Sequence, residues 1–304
     1  MDHKAFLSSL DVSQRETLLV RSDRRGLRHL AGHWGAIALC AGLIYAAVPF
    51  WYVILPVLGI LLVFLFTLLH ETSHKTPFAS GWINDVVGHV CGFILFLPAN
   101  WFRFFHFAHH RFTQIPGKDP ELDAPKPDTR GQYLRHVSGI PVWISHAKTL
   151  IRNAIGRQHD PYVPEARRGK IVNEARLYLI GYAVLLVLSI WQSSVLLIYI
   201  WLLSMLIGQP FLRLYLLAEH GQCPTVANMF ENTRTTFTNR LVRFVAWNMP
   251  YHTEHHSYPS VPFYKLPELH TLIKPHLQVT SDGYRAFTKD YVDTALDQTR
   301  SANT

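Results

Sequence analysis

The sequence predicts an all-α integral membrane protein with four transmembrane helices, arranged as two hairpins, and a helical cap on one side. Three observations predict it. Residues 29–69 contain no Asp, Glu, Lys or Arg, and residues 177–212 contain none either. A helix rises about 1.5 Å per residue and the bilayer core is about 30 Å thick, so each run is long enough to cross, turn and return. The third observation is a set of histidine clusters in the polar parts of the chain: His70-Glu71-Thr72-Ser73-His74, His106-Phe107-Ala108-His109-His110 and His252-Thr253-Glu254-His255-His256.

The composition fits this class. The chain has 304 residues, 49% of them apolar and 16% charged. That is too apolar for a typical soluble enzyme and too punctuated by charge for a bare bundle of membrane helices. Length alone allows one or two domains, and we read residues 1–304 as a single membrane-embedded domain. Cys40, Cys91 and Cys223 are far apart and form no CxxC, so they read as buried small apolar residues and not as a disulfide framework or thiolate site. The net charge of +8 belongs to basic residues that flank apolar segments. No nucleic-acid-reading motif accompanies them, and contact with anionic lipid headgroups suits them better.

Residues 1–28 are polar and end in Arg21, Arg24, Arg25 and Arg28. The apolar run behind them is too long for a signal peptide, so they read as the cytoplasmic flank of a retained helix. Pro49 and the interfacial Phe50-Trp51-Tyr52 divide the first run into spans at 31–48 and 51–69. Residues 81–98 are apolar but short, with Asn84, Asp85 and His89 among them. A full span there would put the second cluster across the membrane from the first, so an interfacial or re-entrant helix is expected. Residues 113–176 are polar and basic, with an amphipathic helix expected near 133–155. Gln192-Ser193-Ser194 divide the second charge-free run into spans at 177–191, slightly short, and 195–212. The cytosolic parts are then 70–176 and 213–304, the latter with Pro259, Pro262 and Pro267 after the third cluster. Both hairpin turns lack Lys and Arg, so the positive-inside rule puts the clusters and both termini in the cytoplasm.

On a helix, residues four apart project within about 40° of each other, whereas neighbours diverge by about 100°. Each cluster therefore presents imidazoles on one face, and the adjacent pairs His109-His110 and His255-His256 can reach different ions. One HxxxH among 18 histidines could be chance; three such clusters argue for one shared site. Eight imidazoles exceed what one ion uses, so the cap is expected to hold a dimetal site. Ligand type alone permits iron, zinc, manganese or copper. Imidazoles bring no negative charge, so carboxylates should accept hydrogen bonds from their non-ligating nitrogens. Glu71, Glu219 and Glu254 lie beside candidate ligands, with Asp85, Asp119 and Glu121 as further candidates. His3, His29, His33, His89, His136, His146, His159, His270 and His276 lack the spacing and are expected to be interfacial or solvated, His89 and His270 being the first to check. Trp101, Phe102, Phe104 and Phe105 read as interface packing, with a lining for an apolar chain as the alternative.

The clusters, their order and their setting resemble the membrane fatty acid desaturase family, within the wider group of integral-membrane di-iron desaturases and hydroxylases. The resemblance rests on HETSH after an apolar run, FHFAHHRFTQ followed by DPEL, and MPYHTEHHSYPSVPFYKLPELH, across residues 60–275. It implies a di-iron centre of two iron ions, O2 as co-substrate, and a double bond introduced into a long acyl chain of a lipid-like substrate. It also implies a further histidine between the second and third clusters. His220, in LAEHG, is the only histidine between His159 and His252. The chain carries no rubredoxin-like cysteine set and no recognisable haem domain, so a separate electron donor of ferredoxin, rubredoxin or cytochrome type, with its reductase, is expected. A hydroxylase or other monooxygenase would use the same site. A non-catalytic membrane metal-binding or transport protein should place ionisable residues inside the spans, and the two charge-free runs do not. A serine hydrolase lacks its GxSxG.

Overall fold

The computed structural model describes residues 1–294 and Leu296. The long helices are α1 (Asp23–Tyr45), α2 (Trp51–His74), α3 (Gly81–Ile94), α4 (Ala99–Phe112), α5 (Ile140–Ala154), α6 (Glu165–Trp191) and α7 (Ile198–His220). Shorter helices follow, of which α8 (His252–Ser257), α9 (Leu266–Ile273) and α10 (Tyr284–Thr294) bear on the site. Among the described residues the only strand pairing beyond an isolated bridge is a two-residue parallel ladder, Thr235–Thr236 with Thr280–Ser281.

Three helices are long and apolar enough to cross a membrane: α2, α6 and α7. A fourth crossing is counted only if α3 and α4, bent by 100° at their junction, act as one. The expected first span does not meet that test. Its helix, α1, starts eight residues before position 31 and carries Arg24, Arg25, Arg28, His29 and His33, which dilute its apolar half. It still forms the expected antiparallel pair with α2: His33 Nε2 lies 3.0 Å from the Leu61 carbonyl, and Gly26 packs against Phe78. The third expected span, short by residue count, gains length from its flank, because α6 begins at Glu165.

Packing differs from two self-contained hairpins. α7 lies along α2, with Gly59 against Gly208: a Cβ added at Gly59 would meet the Ser204 carbonyl oxygen at 2.0 Å. Trp51 touches Tyr199 and Phe64 touches Tyr215, so the two helices run parallel. α6 is held off α7 by a wedge of rings: Phe96 stacks on Trp201 at 4.9 Å, and Phe93 and Tyr182 fill the space beside it. One apolar face of α6, including Leu177, Ile180, Val184, Val187 and Ile190, is exposed, while Ile171, Ala175 and Tyr178 are buried. The sharp α3–α4 turn brings the second cluster back beside the first, as a shared site requires.

The expected amphipathic segment is two helices, Arg130–Val137 and α5. Two histidines expected at an interface or in solvent are instead buried. His33 receives a hydrogen bond from Trp247 Nε1 at 3.0 Å, and His3 packs against Phe230 beside Asn228. Both tie a terminal helix to the cap, which the spacing of single histidines could not reveal. Cys91 is buried as expected; Cys40 and Cys223 are half-buried, and all three are free.

Candidate metal centre

The parallel contact of α2 and α7 fixes the site. Gly59 lies opposite Gly208, His70 follows the first by 11 residues and His220 the second by 12, so both imidazoles emerge at the same height. α4 brings His106, His109 and His110 to the same end, and α8, whose residues are all buried, brings His252, His255 and His256. All nine histidines named from the sequence converge there.

They sort into two groups. One is His70, His74, His106, His110 and His255; the other is His109, His220 and His256, each group with ligating atoms within 4.8 Å of one another. His252 joins the second group through His220, Nε2 to Nε2 at 3.2 Å. The adjacent pairs divide between groups as helical geometry requires: His110 faces the first and His109 the second, His255 the first and His256 the second.

The ring nitrogens show what the arrangement is fit to hold. His109 directs Nδ1 to Asp119 at 2.9 Å, and His220 directs Nδ1 to the Asn232 carbonyl oxygen at 3.0 Å. Those oxygens only accept, so both Nδ1 atoms carry a proton, and in the neutral rings both Nε2 atoms present lone pairs. Burial lowers the pKa of the His109 ring, but the Glu121 and Asp119 carboxylates outweigh it and raise it above the usual imidazole value. Yet the two Nε2 atoms lie 3.2 Å apart. Facing lone pairs at that distance repel, and a metal cation bound by both, or a proton shared between them, resolves the conflict. His74 and His106 approach similarly, Nε2 to Nε2, at 2.8 Å. Among the described residues, both ring nitrogens of His70, His110 and His255 are buried without a hydrogen-bond partner, as is His256 Nε2. Buried polar atoms in such number call for an ion. Burial and the neighbouring imidazoles hold His252, His255 and His256 well below the usual imidazole range, which keeps them in the neutral form that binds metal. The residues fit a two-metal centre.

Carboxylates stand behind several rings. Glu71 lies 3.4 Å from His255 Nδ1, and Glu219 lies 3.4 Å from His252 Nδ1. Burial pushes the Asp119 carboxyl up, but the His109 ring and the Gln114 and Glu121 amides outweigh it and hold it below the ordinary carboxylate value. Glu121 reaches the other side of the same ring, 3.3 Å from Nε2. Two candidates lie elsewhere. Glu254 points away from the cluster to His270 and to Thr235 Oγ1, because its position in the HTEHH turn is about 200° round the helix from His252 and His256. Asp85 pairs with Lys75. His89 meets the buried Glu174 at 2.6 Å, outside both groups.

The sequence reading missed the segment that covers the second group. Thr113 Oγ1 lies 3.1 Å from His256 Nδ1, while Lys126 Nζ and Gln114 Nε2 donate to the His220 carbonyl. Thr113 was findable, one turn after His109 on the same helix face. Asn232 was not, since its carbonyl is a backbone group that any residue would supply.

Fold and pocket together define a helical membrane protein with a buried, histidine-lined site able to hold metal ions. The chain belongs to the fatty acid desaturase family, which it matches over residues 45–288. It is similar to an sn-1 oleoyl-lipid 12-desaturase of Picosynechococcus sp., 28% identical over 150 residues, which is 46% of this chain and 42% of the relative. It is also similar to a fatty acid conjugase, FAC2 B, of Calendula officinalis, 22% identical over 248 residues, 72% of this chain and 66% of the relative. Each match therefore spans less than two-thirds of the relative's own length.

Proposed function

We propose that this protein is an oxygen-dependent di-iron desaturase that introduces a double bond into a long acyl chain. The observation that carries the reading is the pair of imidazole groups whose ligating nitrogens converge, within each group, to 4.8 Å or less of one another. Membership of the family favours iron as the metal, and the relatives' names favour desaturation over hydroxylation. One metal would be held by His70, His74, His106, His110 and His255, and the other by His109, His220, His252 and His256. The chemistry they would supply is activation of dioxygen for removing hydrogen from an unactivated methylene, with two electrons from a separate donor protein.

The protein's own part is positional. Asp119 fixes the His109 ring and tautomer, the Asn232 carbonyl does the same for His220, and Thr113 for His256. Glu71 and Glu219 each place a carboxyl group 3.4 Å from the outer nitrogen of one ring. Burial of most of the cluster, with His74 and His110 half-buried, limits the competition of bulk water with the acyl chain. The uncharged turns at 46–50 and 192–194 lie at the end opposite the histidines, which supports an active site on the cytoplasmic face.

The test is expression in a host with simple lipids, with products read by mass spectrometry under air and under nitrogen. New double bonds under air alone support the reading. An added hydroxyl would reassign the protein to the hydroxylases, and unchanged lipids in cells with metal-loaded protein and a working electron donor would overturn it.

A further inference from the structure

Outside the metal centre, α5 has three distinct faces. Leu150, Asn153 and Ala154 are buried against the protein. Ile140, Ile144, Ile151 and, just past the helix end, Ile155 form an unburied stripe, 55%, 47%, 53% and 58% exposed, within about 60° of one another. Between them lies a groove of about 480 Å³ shared with the Arg130–Val137 helix. Its lining is Arg135, Lys148, Arg152, Ser145 and Thr149, over Pro141 and Ile144, with no carboxylate. Asp160 engages Arg152 at 2.6 Å, which leaves Arg135 and Lys148, both exposed, as the groove's charges without an ion-pair partner among the described residues.

The ends of α5 fix its depth. At its C-terminal end the Ala154 carbonyl accepts from Arg176 Nε at 2.8 Å, and Arg176 is the last charged residue before the apolar run of α6. At its N-terminal end Gly139 abuts Gln209, three residues before that run ends at Leu212. Both ends thus sit where spans leave the apolar layer, so α5 lies along the membrane surface. Its isoleucines then face hydrocarbon, and the basic groove, a quarter turn away, sits at the level of the headgroups.

We propose that this groove is a binding site for an anionic phospholipid of the bilayer. The phosphate is held by Arg135 and Lys148, with the Ser145 and Thr149 hydroxyls as further donors, and the acyl chains follow the isoleucine stripe. The site stands independently of the metal chemistry.

The test is native mass spectrometry of the full chain with phosphatidylglycerol, with phosphatidylcholine of the same acyl chains, and with glycerol phosphate. Phosphatidylglycerol should be retained in preference to both. The double variant Arg135→Gln/Lys148→Gln should weaken its binding roughly 30-fold, two lost charges near the surface at about five- to sixfold each. Arg285→Gln/Lys289→Gln, the same charge change on exposed residues of α10, should leave it unchanged. Equal retention of the two lipids, equal loss in the control variant, or glycerol phosphate binding as well as the lipid would each overturn the proposal. All these positions are exposed, so folding of the variants is not at stake.

Discussion

At the scale of single residues, the decisive objects are hydrogen bonds behind the imidazoles. A metal-binding ring whose outer nitrogen is held by a carboxylate is fixed in tautomer and direction, and losing that partner typically costs 10–100-fold in metal affinity. Asp119→Asn should therefore weaken metal binding by that range at constant fold, because the amide can present its nitrogen to His109 Nδ1 in place of an oxygen. Chelator titration followed by metal analysis reads this directly. His220→Ala should remove more: it deletes the ring that approaches both His109 and His252, and metal content should fall sharply while membrane insertion persists. Gln at the same place should not restore it, since an amide replaces imidazole nitrogen poorly. His159→Ala, at an exposed ring, serves as the control; equal metal loss there would mean general destabilisation.

At the scale of elements, the site depends on a helix pair that carries no chemistry at its contact point. α2 and α7 approach closely enough at Gly59 and Gly208 that a side chain on either would collide with backbone. Gly59→Ala should cost about 1–3 kcal/mol or more, because the obstruction is the Ser204 carbonyl and not the end of a flexible side chain. A thermal melt in detergent shows this as a lowered midpoint. The same variant should hold less metal, since separating the helices carries His70 and His74 away from His220. An unchanged melt would mean the helices slide past one another at no cost.

For the whole molecule, the arrangement of ends is the testable feature. With the native cysteines replaced, single cysteines at Ala79 and Asp282 should label from the cytoplasmic side and one at Gln192 from the other. All three positions are exposed. Labelling of Ala79 and Asp282 from opposite faces would contradict the shared site. Part of this architecture was legible beforehand, because charge-free runs report the length of apolar helix; the pairing of the second run was not, since α7 packs along α2 and stands off α6. The first span was a further exception: His29, His33 and three arginines share its helix, and charge absence over a window did not weigh them.

The sequence by itself determined which imidazoles meet. Helical spacing alone divides His109 from His110 and His255 from His256, and a shared centre forces the chain between the first two clusters to turn back. It also determined membership of the membrane class, because continuous apolar length is a local property. Only the tertiary structure decided which carboxylate serves which ring. Asp119 took His109 and Glu254 turned to His270, since neighbours in sequence can point to opposite sides of one short helix. It also decided that α7 lies along α2 and not against α6, through two glycines 149 positions apart and a wedge of aromatic rings. Contacts between distant segments depend on shape complementarity that no window of the sequence contains.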